Sequence, residues 1–132
     1  MMQLRLDMRT GVPPYIQLVQ QVTHAIRMGV LEVGDRLPTV KEVAATLAVN
    51  PNTVLKAYRH LEHIGVVEGR PGVGTFVTRL PPGPPPKTHL TLARSLRRWV
   101  DEAQAVGLDD QAIEALLRSV LQSRAAHGEV VA

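Results

Sequence analysis

The chain of 132 residues has no cysteine, which excludes a disulfide framework, a thiolate metal site and a cysteine nucleophile together. That suits a reducing compartment, and the cytoplasm is the expected location. Aromatic residues are only 3% of the sequence, with one Phe, two Tyr and one Trp. Binders of single-stranded nucleic acid stack bases on aromatic rings, and so few rings cannot line such a groove. No apolar run approaches the ~18 residues of a membrane-spanning helix. The opening MMQLRLDMRT carries charges where a signal peptide has its apolar segment. A chain that is neither exported nor membrane-bound is therefore expected. Also missing are a Gly-rich phosphate loop ending in Lys-Ser or Lys-Thr and a strand-turn-helix elbow around Ser95, Ser119 or Ser123. Neither a cofactor nor catalysis is expected.

Charge of one sign is also scarce, with a net of +3. Its distribution is uneven: basic residues outnumber acidic ones 9 to 6 over residues 1–80, but 6 balance 6 over residues 81–132. The whole excess lies in the first part and favours an anionic partner there, although three charges are within what any solvated surface carries. With few aromatics, double-stranded DNA suits that partner better than a single strand.

What the sequence does contain is punctuation. Gln3–Leu6 alternates polar and apolar residues and predicts a short edge strand. After Pro13-Pro14, the residues Tyr15, Val19, Val22 and Ile26 recur at helical spacing, widened by Leu18 and Ala25. Gln17, Gln20, Gln21 and His24 fall on other faces of this helix over Tyr15–Met28. Gly29 closes it. Thr39 with Glu42 three positions on is a capping box, which starts a second helix from Val40 to Leu47. Only Ala48 and Val49 precede Asn50-Pro51, an N-cap followed by a proline at the first helical position. Helices joined so tightly must cross steeply. In the third helix Val54, Tyr58 and Leu61 form one apolar stripe, flanked by Ala57 and Ile64, and Asn52, Lys56, Arg59 and His63 lie opposite. Gly65 ends it. Val66–Glu68 and Thr75–Thr78 then read as strands of a hairpin around the turn Gly69–Gly74.

Helix, tight turn, helix and hairpin together make a winged helix-turn-helix, whose frame presents the start of one helix to the major groove. Asn pairs bidentately with adenine, Lys with guanine, and Thr offers a hydroxyl and a methyl group. The candidate DNA-binding residues are Thr39, Lys41, Asn50, Asn52, Thr53, Lys56 and Arg59, with Arg70, Gly72 and Gly74 in the wing. A winged-helix adaptor that binds protein is the alternative. His60 and His63 stand three apart on one helix, yet no third ligand is near in sequence, so they are expected to be solvated or phosphate-facing and no metal site is expected.

Pro81–Pro86 holds five prolines and one glycine, which suits a stiff spacer rather than a helix or a central strand. The expected division is a DNA-binding domain at 1–80, a Pro-rich linker at 81–87 and a helical hairpin at 88–132. In the hairpin Leu92, Leu96, Trp99 and Ala103 line one helix. Asp109 can cap the next, where Ile113, Leu116, Leu117, Val120 and Leu121 form a wide apolar face. Two helices of this size cannot bury both stripes alone. A homodimer closed through Leu92, Leu96, Trp99, Ile113, Leu116, Leu117 and Val120 is expected. The fold class is thus mostly α with a small β-hairpin: an N-terminal winged helix-turn-helix plus a C-terminal two-helix dimerisation hairpin.

The segments PPYIQ, GDRLPT, NPNTV, AYRHLEHIGVV and GVGTFV, spread over Leu4–Thr78, closely resemble the winged-helix domain of the GntR family of bacterial transcription regulators. NPNTV followed two residues later by AY, with a C-terminal part of about 45 residues, is similar to the YtrA subfamily. The resemblance implies a dimeric repressor of double-stranded operator DNA with a near-palindromic site, while no residue set marks an effector. It places the family's base-reading arginine at Lys41, its polar recognition-helix start at Asn50, Asn52 and Thr53, and its wing glycines at Gly72 and Gly74. Pro51 and Leu55 stand where many relatives have arginine, so contacts made there by those relatives do not carry over.

Overall fold

The structure is a computed structural model that describes the backbone of residues 2–131 and the side chains of residues 2–124. Its elements run α1 (Pro14–Arg27), α2 (Val40–Leu47), α3 (Pro51–His63), β1 (Val67–Arg70), β2 (Gly74–Val77), α4 (Pro86–Ala105) and α5 (Asp110–Val131). Two compact units divide between Leu90 and Thr91. Each has its own packing logic.

In the first unit the apolar stripes predicted for α1, α2 and α3 meet in one core. Leu18, Val22 and Ile26 from α1, Val43 and Ala44 from α2, and Val54, Ala57 and Leu61 from α3 are all buried, joined by Leu37, Val66 and Val77. The capping box forms as the sequence predicts: Glu42 N–H donates to Thr39 Oγ1 at 3.1 Å and Thr39 N–H to the Glu42 carboxylate at 3.4 Å. Such a cap stabilises a helix by about 1 kcal/mol. Between α2 and α3, Ala48 takes φ 54°, the left-handed conformation, which turns the chain within two residues and costs a residue with a Cβ roughly 1 kcal/mol or more. At the far end of α3, Gly65 with φ 84° ends the helix, and its lack of a Cβ leaves room for the Arg79 guanidinium to reach the Ile64 carbonyl at 3.0 Å.

β1 and β2 pair antiparallel with Val67 opposite Val77 and Arg70 opposite Gly74. The strands therefore include Gly69, Arg70 and Gly74, which the sequence assigned to the turn, and the tip is Pro71-Gly72-Val73 alone. Arg70 C=O accepts from Val73 N–H at 3.0 Å, closing the turn, and Gly72 supplies φ 73°. The loop before α2 lies along β2: Leu37 N–H donates to Thr75 C=O, and Val77 N–H to Asp35 C=O, both at 2.8 Å. An Arg36 to Phe76 bridge completes this third, irregular strand.

Two expectations are corrected in this unit. Gln3–Leu6 is not a strand, and Gln17 is not outward-facing but buried. One cause explains both. The Gln17 carboxamide accepts from Asp7 N–H at 2.8 Å and donates to Asp7 C=O at 2.8 Å and to Val12 C=O at 2.9 Å. Gln21 treats Arg5 alike, accepting its N–H at 2.8 Å and donating to its C=O. Two side-chain amides on α1 thus take the place of a neighbouring strand, and Leu4 and Leu6 pack against the core from this segment. A buried amide is tolerable only when satisfied in this way.

The second unit consists of α4 beyond Leu90 and α5. α4 begins at Pro86, inside the segment expected to be linker, because proline at a first helical position loses no bond. Asp109 caps α5 through the Ala112 N–H at 2.8 Å, as predicted. Ala103 of α4 and Ile113 of α5 are buried. The rest of the apolar faces is open: Leu92 is 62% exposed, Leu96 48%, Leu116 41% and Val120 50%, with Trp99 and Leu117 half-buried.

Candidate nucleic-acid interface

α3 owes its placement to its two faces. Its apolar face holds it against α1 and α2, so the opposite face, with Asn52, Lys56, Arg59 and His63, is exposed. Tyr58 fixes the helix to the loop before α2, since its hydroxyl donates to Pro38 C=O at 2.5 Å. Burial, and next the nearby Glu42 carboxylate, push the Tyr58 pKa well above its ordinary value, so the donor keeps its proton. Glu62 ties the same helix to the wing by accepting from Gly69 N–H at 3.1 Å.

The start of α3 suits a polyanion. Asn50 Oδ1 accepts from Asn52 N–H at 2.8 Å, which caps the helix with an exposed residue. No acidic residue stands in the first turn, so the positive end of the helix dipole is not neutralised. Lys41, exposed in the first turn of α2, and the side chains of Asn52, Thr53 and Arg59 have no hydrogen-bond or ion-pair partner among the described residues.

Lys56 differs from these. Its ammonium sits 4.1 Å from the Tyr15 ring centroid, a cation–π contact to α1. His60 meets the same ring edge-on with centroids 6.4 Å apart. No group of three metal-binding side chains exists among the described residues.

The wing and the start of α2 border one shallow hollow of about 530 Å³, lined by Arg36, Thr39, Glu62, Arg70, the turn Pro71–Val73 and the start of β2. The structure thus brings Thr39, Arg70, Gly72 and Gly74 together. Arg70 lies over the Phe76 ring at 4.7 Å, with its guanidinium held at the wing surface. Arg36 was not singled out by the sequence, where GDRLP reads only as a loop. Its one signal is a cation two residues before the helix-entry proline. Nothing in periodicity reveals that this loop lies along β2.

Residues 14–77 match the family model described as bacterial regulatory proteins, gntR family. The HTH-type transcriptional regulator Rv1152 of Mycobacterium tuberculosis is 42% identical over 105 residues, 80% of this chain and 83% of that protein. The chain belongs to the GntR family. Among solved structures, YtrA from Sulfolobus acidocaldarius, a GntR-family transcription factor, aligns with a TM-score of 0.55 and 28% identity, covering 77% of this chain and 97% of that one. The DNA-binding domain of AraR in complex with operator ORE1 aligns with a TM-score of 0.50 and 28% identity over 58% of this chain and 93% of that one. This GntR protein is a YtrA-like, DNA-binding transcription regulator, and its winged helix-turn-helix is the part that matches the family model. No described helix is long and apolar enough to cross a membrane.

Proposed function

We propose that this regulator is a cytoplasmic homodimeric repressor that reads a near-palindromic operator with α3. The observation that carries the proposal is the exposed, uncommitted polar face running from the capped start of α3. In this reading residues 1–80 bind DNA, 81–87 connect, and 88–132 dimerise. The open leucines of α4 and α5 support the last assignment, since apolar faces of this kind are normally covered. Two α3 helices related by a two-fold axis then enter successive major grooves, about 34–36 Å apart. Repression needs only occupancy of such a site.

Lys41, Asn50, Asn52 and Thr53 take the base edges in this account. Arg59 and Lys56, the latter held back by Tyr15, contact the sugar-phosphate backbone. Lys41→Ala is therefore expected to cost about 1–3 kcal/mol on the operator and far less on random duplex. Titration of both duplexes by fluorescence anisotropy checks it, and equal losses on the two would remove Lys41 from base reading.

A further inference from the structure

We infer that Arg36 is a DNA-backbone contact, holding one phosphate per protomer together with Arg70 at the hollow between the wing and the start of α2. This rests on the DNA-binding reading and adds to it a residue outside both helices of the motif. Arg36 is exposed, and its guanidinium has no hydrogen-bond or ion-pair partner among the described residues. Its backbone is nonetheless rigidly placed, because the bridge to Phe76 and the neighbouring Leu37 N–H to Thr75 C=O bond lock the loop onto β2. The side chain passes over Gly74: a Cβ built there would stand 2.8 Å from Arg36 Nε and 3.4 Å from its Cδ. The missing Cβ at Gly74 is what lets the arginine lie across the wing, beside Arg70 on Phe76.

Two guanidiniums therefore border a hollow open to solvent, with the Thr39 hydroxyl beside them. The one carboxylate there, Glu62, is engaged with Gly69 N–H. Neither arginine forms an ion pair with it or with any other described carboxylate, and cations on a fixed frame with no ion-pair partner suit a phosphodiester, which Arg binds through its planar fork. The wing turn with Gly72 adds a close approach for the sugar-phosphate chain. A structural role is the competing explanation, because the aliphatic stem of Arg36 covers Gly74.

Two variants of the full chain separate these roles. Arg36→Met keeps the stem and removes the charge, whereas Arg36→Lys keeps both. The readout is the slope of log affinity against log salt on duplex DNA. Arg36→Met is expected to flatten the slope by about one per protomer and to weaken operator and random duplex alike. From about 50 to about 200 mM salt, the unmodified chain then loses about 3- to 4-fold more affinity per contact than the variant. Arg36→Lys should retain the slope. If the unmodified chain shows steep salt dependence and Arg36→Met shows the same slope, Arg36 is structural and the inference is overturned. If the unmodified chain shows no salt dependence at all, the DNA-binding reading itself falls and the inference with it.

Discussion

Glutamate at Leu96 and Leu116 together is expected to leave the head folded and to lower operator affinity by about 10²- to 10⁴-fold. Both side chains are largely exposed on one chain, 48% and 41%, so the substitutions open no cavity in the core. In a dimer they place four carboxylates in an apolar seam, where each unpaired charge costs several kcal/mol. Monomers then bind half-sites singly. The lost factor is the effective concentration that a linked second head supplies, which accounts for the 10²–10⁴ range without any change in DNA contacts. Sedimentation analysis should show a monomer, circular dichroism an unchanged helix content, and anisotropy near-equal affinity for a whole operator and a half-site. A double variant that remains dimeric would place the interface elsewhere.

Leu61→Ala is expected to destabilise the first unit by about 2–5 kcal/mol. Leu61 is completely buried where α3 meets the core, with Val54 and Ala57 on the same stripe. Removing its branched end deletes apolar contacts and leaves a cavity that three short helices can close only in part. Domains of this size have roughly 5–15 kcal/mol in all, so a large share disappears and the recognition helix loses its footing. Ile64, three residues on and 41% exposed, should cost much less when changed to alanine. Urea denaturation of the two variants checks the contrast, and equal losses would mean that α3 does not pack as described.

The helices of the head were legible because periodicity and caps agree. Thr39 with Glu42, Asn50 before Pro51, and Gly65 after α3 are local signals, and local signals survive without knowledge of the fold. Helix faces followed from spacing, which is why the exposed set of α3 could be read in advance. What the sequence hid depends on contacts far apart in the chain. Gln17 looks like a surface glutamine until the residues ten positions before it fold across α1 and use its amide. Gln3–Leu6 alternates like a strand, but side-chain amides of α1 bind the backbone of Arg5 within it and of Asp7 just after it. Lys56 sits on the outward face by spacing, yet Tyr15 of another helix captures its ammonium. Arg36 lies in the GDRLPT segment, but no periodicity marks it as a contact, since its position depends on a loop lying along β2.

Within the proposed interface, those long-range details shift the roles assigned to single residues. The start of α3 keeps Asn50, Asn52 and Thr53 free of internal carboxylates, and the wing gains a second cation beside Arg70. Gly74 acquires a definite task, which is to leave space for Arg36.

The central claim is that two copies of α3, held by dimerised hairpins, read DNA as a symmetric pair. Selection of bound duplexes from a random-sequence library by the full chain tests it most directly. The account predicts enrichment of an inverted repeat whose half-sites are centred about 10–10.5 base pairs apart, or a multiple of that spacing. Recovery of unenriched sequence, or of a single motif with no symmetric partner, would contradict it.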